Sequence, residues 1–127
     1  MIPAFYACYD EKGDISPEGV EALTRFLIQK GVKGVYVGGS SGECIYQGVA
    51  ERKLVLEHVM KAAEGRLTVI AHVACNNTAD SMELAAHAER LGVDAIAAIP
   101  PIYFHLPEYA IAQYWNDISS AAPNTDF

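Results

Sequence analysis

Several features that commonly announce a partner or a staple are missing from this sequence. Cysteine is sparse: Cys8, Cys44 and Cys75 stand far apart with no C-x-x-C pair. Neither a disulfide framework nor a thiolate zinc site follows, and a reducing cytoplasm is the expected compartment. No apolar run approaches the ~18 residues of a membrane-spanning helix, and Met1–Cys8 has no basic flank and is too short for a secretion signal. Positive charge is in deficit, with nine Lys and Arg against sixteen Asp and Glu and a net charge of −7. Nucleic acid and anionic membrane are therefore not expected as partners. His58, His72, His87 and His105 show no H-x-x-x-H or H-E-x-x-H spacing, so no metal is expected.

What is there reads as a soluble, globular chain, since 51% of the residues are hydrophobic and 20% are charged. At 127 residues it is one domain at most, with enough chain to bury a core. Apolar runs alternate with helical patterns four times. Strands are expected at 2–9, 32–37, 67–74 and 94–99. The first helix starts at Ser16 as N-cap with Pro17 in its first position, carries Val20, Leu23, Leu27 and Ile28 inward, and stops at Gly31. Three more helices are expected at 49–63, 79–91 and 107–121. Their inward candidates are Leu54, Val55, His58 and Val59 in the second, and Met82, Leu84, Ala85 and Leu91 in the third. Asn76-Asn77-Thr78 is chiefly a helix start.

Short connections in a repeated β-α rhythm imply right-handed βαβ units and a parallel sheet. A doubly wound dinucleotide fold would place G-x-G-x-x-G after the first strand, where Tyr9-Asp10-Glu11-Lys12-Gly13-Asp14 stands instead. A (β/α)8 barrel fits better, because its chemistry sits in the loops after the strands. Those loops, 38–43, 75–78 and 100–105, are the richest in special residues. Such a barrel typically takes about 250 residues, so residues 1–127 read as a partial barrel domain, its first four βα units.

The stretch Val35-Tyr36-Val37-Gly38-Gly39-Ser40-Ser41-Gly42-Glu43 is the most informative. A buried strand runs into glycines that permit a tight turn, then into hydroxyls and backbone N–H groups suited to an anion such as a carboxylate. A plain Gly/Ser turn ahead of a helix would have the same composition.

With that stretch, the Glu51-Arg52 helix start, Ile70-Ala71-His72-Val73 and the Pro101-Ile102-Tyr103 turn, the whole chain resembles the pyruvate-dependent class I aldolases. That family includes N-acetylneuraminate lyases and dihydrodipicolinate synthases, and Gly39–Glu43 matches its G-[ST]-[ST]-G-E motif. The resemblance implies a barrel whose lysine forms a Schiff base with pyruvate, with no metal or organic cofactor. It places Ser40 in a proton relay and on the pyruvate carboxylate. Ser41 would bind the same carboxylate through its hydroxyl and N–H, with Gly39 beside it and Tyr103 at the pocket or the subunit interface. Pyruvate and a sugar aldehyde or sialic acid are the implied partners, in a homotetramer. An iminium provides the electron sink for C–C cleavage, and a fixed carboxylate orients the reacting carbons.

Two departures matter. Phe104 follows Tyr103 where the synthases usually carry a second relay tyrosine, and Ser40-Ser41 replaces a threonine pair. Both favour the lyases, which split N-acetylneuraminate into N-acetylmannosamine and pyruvate, over the synthases. The family's catalytic tyrosine and lysine are expected on the fifth and sixth strands, outside residues 1–127. None of Lys12, Lys30, Lys33, Lys53 and Lys61 stands where a desolvated Schiff-base lysine would be needed. The isolated chain is therefore expected to lack lyase turnover, and a non-catalytic half-barrel that binds or assembles is the competing expectation. Among the rest, His72 reads as a hydrogen-bonded core residue and His105 as a loop residue open to substrate. Glu43 reads as a local cap or ion-pair partner, and Cys44 and Cys75 as inert thiols.

Overall fold

The structure, a computed structural model, describes residues 1–127. Its centre is a parallel sheet of β1 (Gly34–Val37), β2 (Thr68–His72) and β3 (Ala95–Ala97), in that spatial order. The helices α1 (Pro17–Gln29), α2 (Val49–Ala63), α3 (Thr78–Leu91) and α4 (Glu108–Ser120) alternate with the strands, each packed on the next. Spatial order follows chain order with no reversal, as in a closing barrel and unlike a doubly wound sheet. No helix is long and apolar enough to cross a membrane.

The expected first strand is the main departure. Residues 2–9 lie beside β1 but make a single parallel bridge, Ala4 with Tyr36. Phe5 N–H donates to the Tyr36 carbonyl at 2.8 Å, and Tyr36 N–H donates to the Pro3 carbonyl at 2.9 Å. Pro3 has no N–H of its own, so one ladder bond is missing there, although Lys33 N–H still donates to the Met1 carbonyl at 3.1 Å. Beyond Phe5 the chain turns into a small hairpin, with Tyr9 bridging Ile15. At the other edge Ile96 N–H donates to the Asp126 carbonyl at 2.8 Å, a fifth parallel segment in contact.

Helix starts follow the local chemistry. Ser16 Oγ accepts from Gly19 N–H at 3.1 Å with Pro17 in the first turn, and Asn77 Oδ1 accepts from Asp80 N–H at 2.8 Å. The helix-facing side of the sheet (Val35, Val37, Val69, Ala71, Ile96) closes the core with Val55, Val59, Leu84, Ala88 and Ile118. Tyr36, Ile70 and Ala95 form one register row on the opposite face and are only half-buried, as expected of an inward barrel face. In α3 the buried stripe differs from the expected one: Met82 is exposed, and Ser81, His87 and Ala88 are buried. Ser81 tolerates burial because its Oγ accepts from Cys75 N–H at 2.8 Å and meets the Tyr114 hydroxyl at 3.0 Å.

Candidate active site

At the C-terminal end of β1 the chain reverses through Gly38, whose φ of +74° is left-handed. Gly39 follows against the Tyr36 ring, and a Cβ there would lie 2.7 Å from Tyr36 Cε1, so no side chain fits without moving the ring. Ser40–Gly42 then form a short 3-10 turn. Its first residues have no intrahelical acceptor for their N–H groups, and Ser40 and Ser41 are exposed. Glu43 closes the turn at φ 58°, a conformation that costs roughly 1–2 kcal/mol for a residue with a Cβ. Its carboxylate joins none of the ion pairs, so the expected ion-pair role is not found and its backbone alone terminates the turn.

Beneath this turn lies a polar knot that the sequence reading left out. Arg52, in the first turns of α2, is 6% exposed. Its guanidinium donates to the His72 carbonyl at 2.6 Å and the Ala74 carbonyl at 2.8 Å, with the Cys75 sulfur at 3.2 Å. His72 is the hydrogen-bonded core residue expected: its Nδ1 lies 2.8 Å from the Gly38 carbonyl. A carbonyl only accepts, so Nδ1 carries the proton. Burial, followed by the neighbouring Arg52 charge, pushes the His72 pKa down against that hydrogen bond, and the ring is held neutral. One signal could have found Arg52: a cation near a helix N-terminus opposes the macrodipole and needs another reason to be there.

The loop after β2 is tied in turn. The Tyr114 hydroxyl donates to the Cys75 carbonyl at 2.8 Å, and Asn76 Oδ1 accepts from Ile102 N–H at 3.0 Å, linking it to the loop after β3. Burial raises the Cys75 thiol above its ordinary value, against the opposing pull of the Arg52 charge. Between these loops opens a cleft of about 210 Å³ whose lining includes Cys44, Gln47, Arg52, Cys75, Asp80 and Ile102. Gly39, Ser40, Ser41 and Tyr103 do not line it. Tyr103 and Phe104 project from the neighbouring loop, both exposed, with ring centroids 4.8 Å apart edge to face. All the sequence-derived site residues thus lie in the loops after β1 and β3, at the strand ends where barrel chemistry occurs, but only Gly39–Ser41 form one local unit.

Residues 1–126 match the Dihydrodipicolinate synthetase family. The chain belongs to that family. An N-acetylneuraminate lyase of Mediterraneibacter gnavus (strain ATCC 29149) is 80% identical over the whole chain, which spans 40% of that protein. Among solved structures of the family, a Ruminococcus gnavus sialic acid aldolase, described as a catalytic lysine mutant, superimposes with a TM-score of 0.98. It is 81% identical across 99% of this chain and 41% of its own. The Mycoplasma synoviae N-acetylneuraminate lyase follows with a TM-score of 0.92 and 34% identity, over 95% of this chain and 42% of its own. The chain therefore spans about 40% of the length of the relatives it matches, and its α/β architecture is that of the N-terminal part of these family members.

Proposed function

We propose that residues 1–127 form one partial barrel domain, supplying the first four βα units of an N-acetylneuraminate lyase. The enzyme so formed would cleave N-acetylneuraminate to N-acetylmannosamine and pyruvate through a Schiff base. The observation that carries this reading is the 80% identity to a lyase across every residue of the chain, with the Gly-Gly-Ser-Ser turn at a strand's C-terminal end. Ser40 and Ser41 would hold the pyruvate carboxylate, Ser40 would also pass a proton, and Tyr103 would border the pocket. The Schiff-base lysine would come from outside residues 1–127, since Lys12, Lys30, Lys33 and Lys61 are exposed and Lys53 is ion-paired to Glu83. A homotetramer is part of the same reading. A synthase remains the alternative at the level of the family, and the high lyase identity weighs against it.

The test is a chimera in which this chain replaces the matching segment of the M. gnavus lyase. Release of pyruvate from N-acetylneuraminate, and a borohydride-reduced pyruvate adduct seen in the intact mass, are the expected results. A folded chimera with neither would defeat the reading, and Ser40→Ala should lower turnover in an active one.

A further inference from the structure

We propose that His72 and Arg52 act together as positioning residues for the Gly39–Ser41 turn. The His72 ring fixes the Gly38 carbonyl from Nδ1, while the Arg52 guanidinium gathers the strand-end carbonyls of His72 and Ala74 to the same point. The role rests on the reading of Ser40 and Ser41 as the carboxylate-binding pair, whose backbone N–H groups the knot would hold in place.

Gly38 is where the chain has most freedom to swing, because its left-handed φ and missing side chain leave the 38–39 peptide plane weakly restrained. That plane is nevertheless held from both sides. On one side the His72 Nδ1–H meets the Gly38 carbonyl at 2.8 Å, with an Arg52 Nη2 contact at 3.5 Å. On the other, the Tyr36 ring fills the space where a Gly39 side chain would be. From Gly39 onward the turn is locked in sequence: the Gly39 carbonyl accepts from Gly42 N–H at 3.0 Å, and the Ser40 carbonyl accepts from Glu43 N–H at 3.0 Å. Rotating the 38–39 peptide would therefore carry the Ser40 and Ser41 donors with it.

The knot is costly for a purely structural feature. Arg52 is buried with no carboxylate partner, and its Nε finds no acceptor. His72 Nε2 is likewise buried and unpartnered. An apolar pair of the same volume would avoid the stranded Nε and Nε2 but would leave the Gly38, His72 and Ala74 carbonyls without these donors. What the polar pair provides is charge-assisted, directional bonding to carbonyls at the ends of β1 and β2, where the β1 carbonyl leads directly into the turn.

The experiment uses the completed barrel of the chimera, with ¹⁵N-labelled histidine, pyruvate titration followed at the Ser40 and Ser41 amides, and steady-state cleavage. The parent should show His72 as the Nδ1–H tautomer. His72→Leu should weaken pyruvate binding about tenfold or more and lower kcat/KM chiefly through KM. His72→Asn keeps a donor at the δ position and should recover most of the loss. A parent ring protonated at Nε2, a His72→Leu protein indistinguishable from the parent, or no recovery by His72→Asn would each overturn the proposal. The tautomer needs no variant, so it decides even if His72→Leu fails to fold. A parent that cleaves nothing but binds pyruvate at Ser40 and Ser41, with binding lost in His72→Leu, would defeat the lyase reading alone. A parent whose Ser40 and Ser41 amides ignore pyruvate would defeat both.

Discussion

Two polar clusters are built on the two ends of α2, and they work by different physics. Under the turn after β1, Arg52 is sunk among backbone carbonyls with no anion beside it. Across α1 and α2, the Glu21 carboxylate instead gathers three basic side chains: Lys61 at 2.7 Å, His58 at 2.8 Å and Arg25 at 2.6 Å. The first cluster spends a buried charge on backbone geometry. The second shares charge with the long side chains of Arg25 and Lys61, which stand open to water, where attraction is screened and ordering entropy is lost. A buried guanidinium dictates where peptide planes point, whereas a surface clasp only biases how two helices sit.

The comparison is broken most severely at Arg52. Arg52→Met keeps the volume but leaves the His72 and Ala74 carbonyls without their donors, and should cost about 3 kcal/mol, read as a fall in the urea midpoint. The control is Lys53→Met, which removes a surface pair with Glu83 and should cost about 0–1 kcal/mol. Equal losses would mean that burial makes no difference here. Next in size is Gly39→Ala. The added Cβ overlaps the Tyr36 ring and should destabilise by roughly 1–3 kcal/mol. Tyr36→Leu in the same chain should relieve most of that, so a double-mutant cycle separates ring contact from backbone preference.

How far the sequence carried the reading depends on how local each signal is. Ser16 and Asn77 announce helix starts through bonds to residues three positions away, with Pro17 in the first helical position of α1, and α1 and α3 start within one residue of where they were expected. The run 67–74, which holds the shorter β2 at Thr68–His72, and the Gly38–Glu43 turn are equally local signals. Pro3 was readable in principle, because its missing N–H removes one ladder bond from the apolar run 2–9, and the polar turn 10–14 marks the hairpin into which that run leads. The Arg52–His72–Gly38 knot spans three elements and 14 to 34 positions of sequence, so periodicity had no means of finding it. Ser81 is similar: it reads as a polar helix residue until Tyr114, 33 positions away, closes over it. The candidate site was thus legible as a turn, while its support was not.

Ser81 gives a third, smaller effect on the strand-end side. Ser81→Ala removes the acceptor for Cys75 N–H and the partner of the Tyr114 hydroxyl, which keeps its bond to the Cys75 carbonyl. A loss of about 1–2 kcal/mol is expected in urea unfolding, with faster amide exchange confined to the loop after β2.

The smallest effect belongs to the clasp, and its dependence on conditions is what sharpens the contrast. Hydrogen bonds from Lys61, then His58, then Arg25 lower the Glu21 carboxyl from its ordinary 4.5 to about 2. A depressed carboxyl binds protons more readily in the unfolded chain, so its contribution is complete above its unfolded pKa, near 4.5. That contribution fades as the pH falls toward about 2. Glu21→Gln should therefore differ from the parent in urea midpoint at pH 7 and converge with it between pH 4.5 and 2. It should also converge in about 1 M salt, where the Debye length shrinks to about 3 Å. Arg52→Met should keep most of its deficit at high salt, because its partners are carbonyls shielded from ions. A Glu21→Gln difference that survives both acid and salt would place the clasp in the same class as the buried knot.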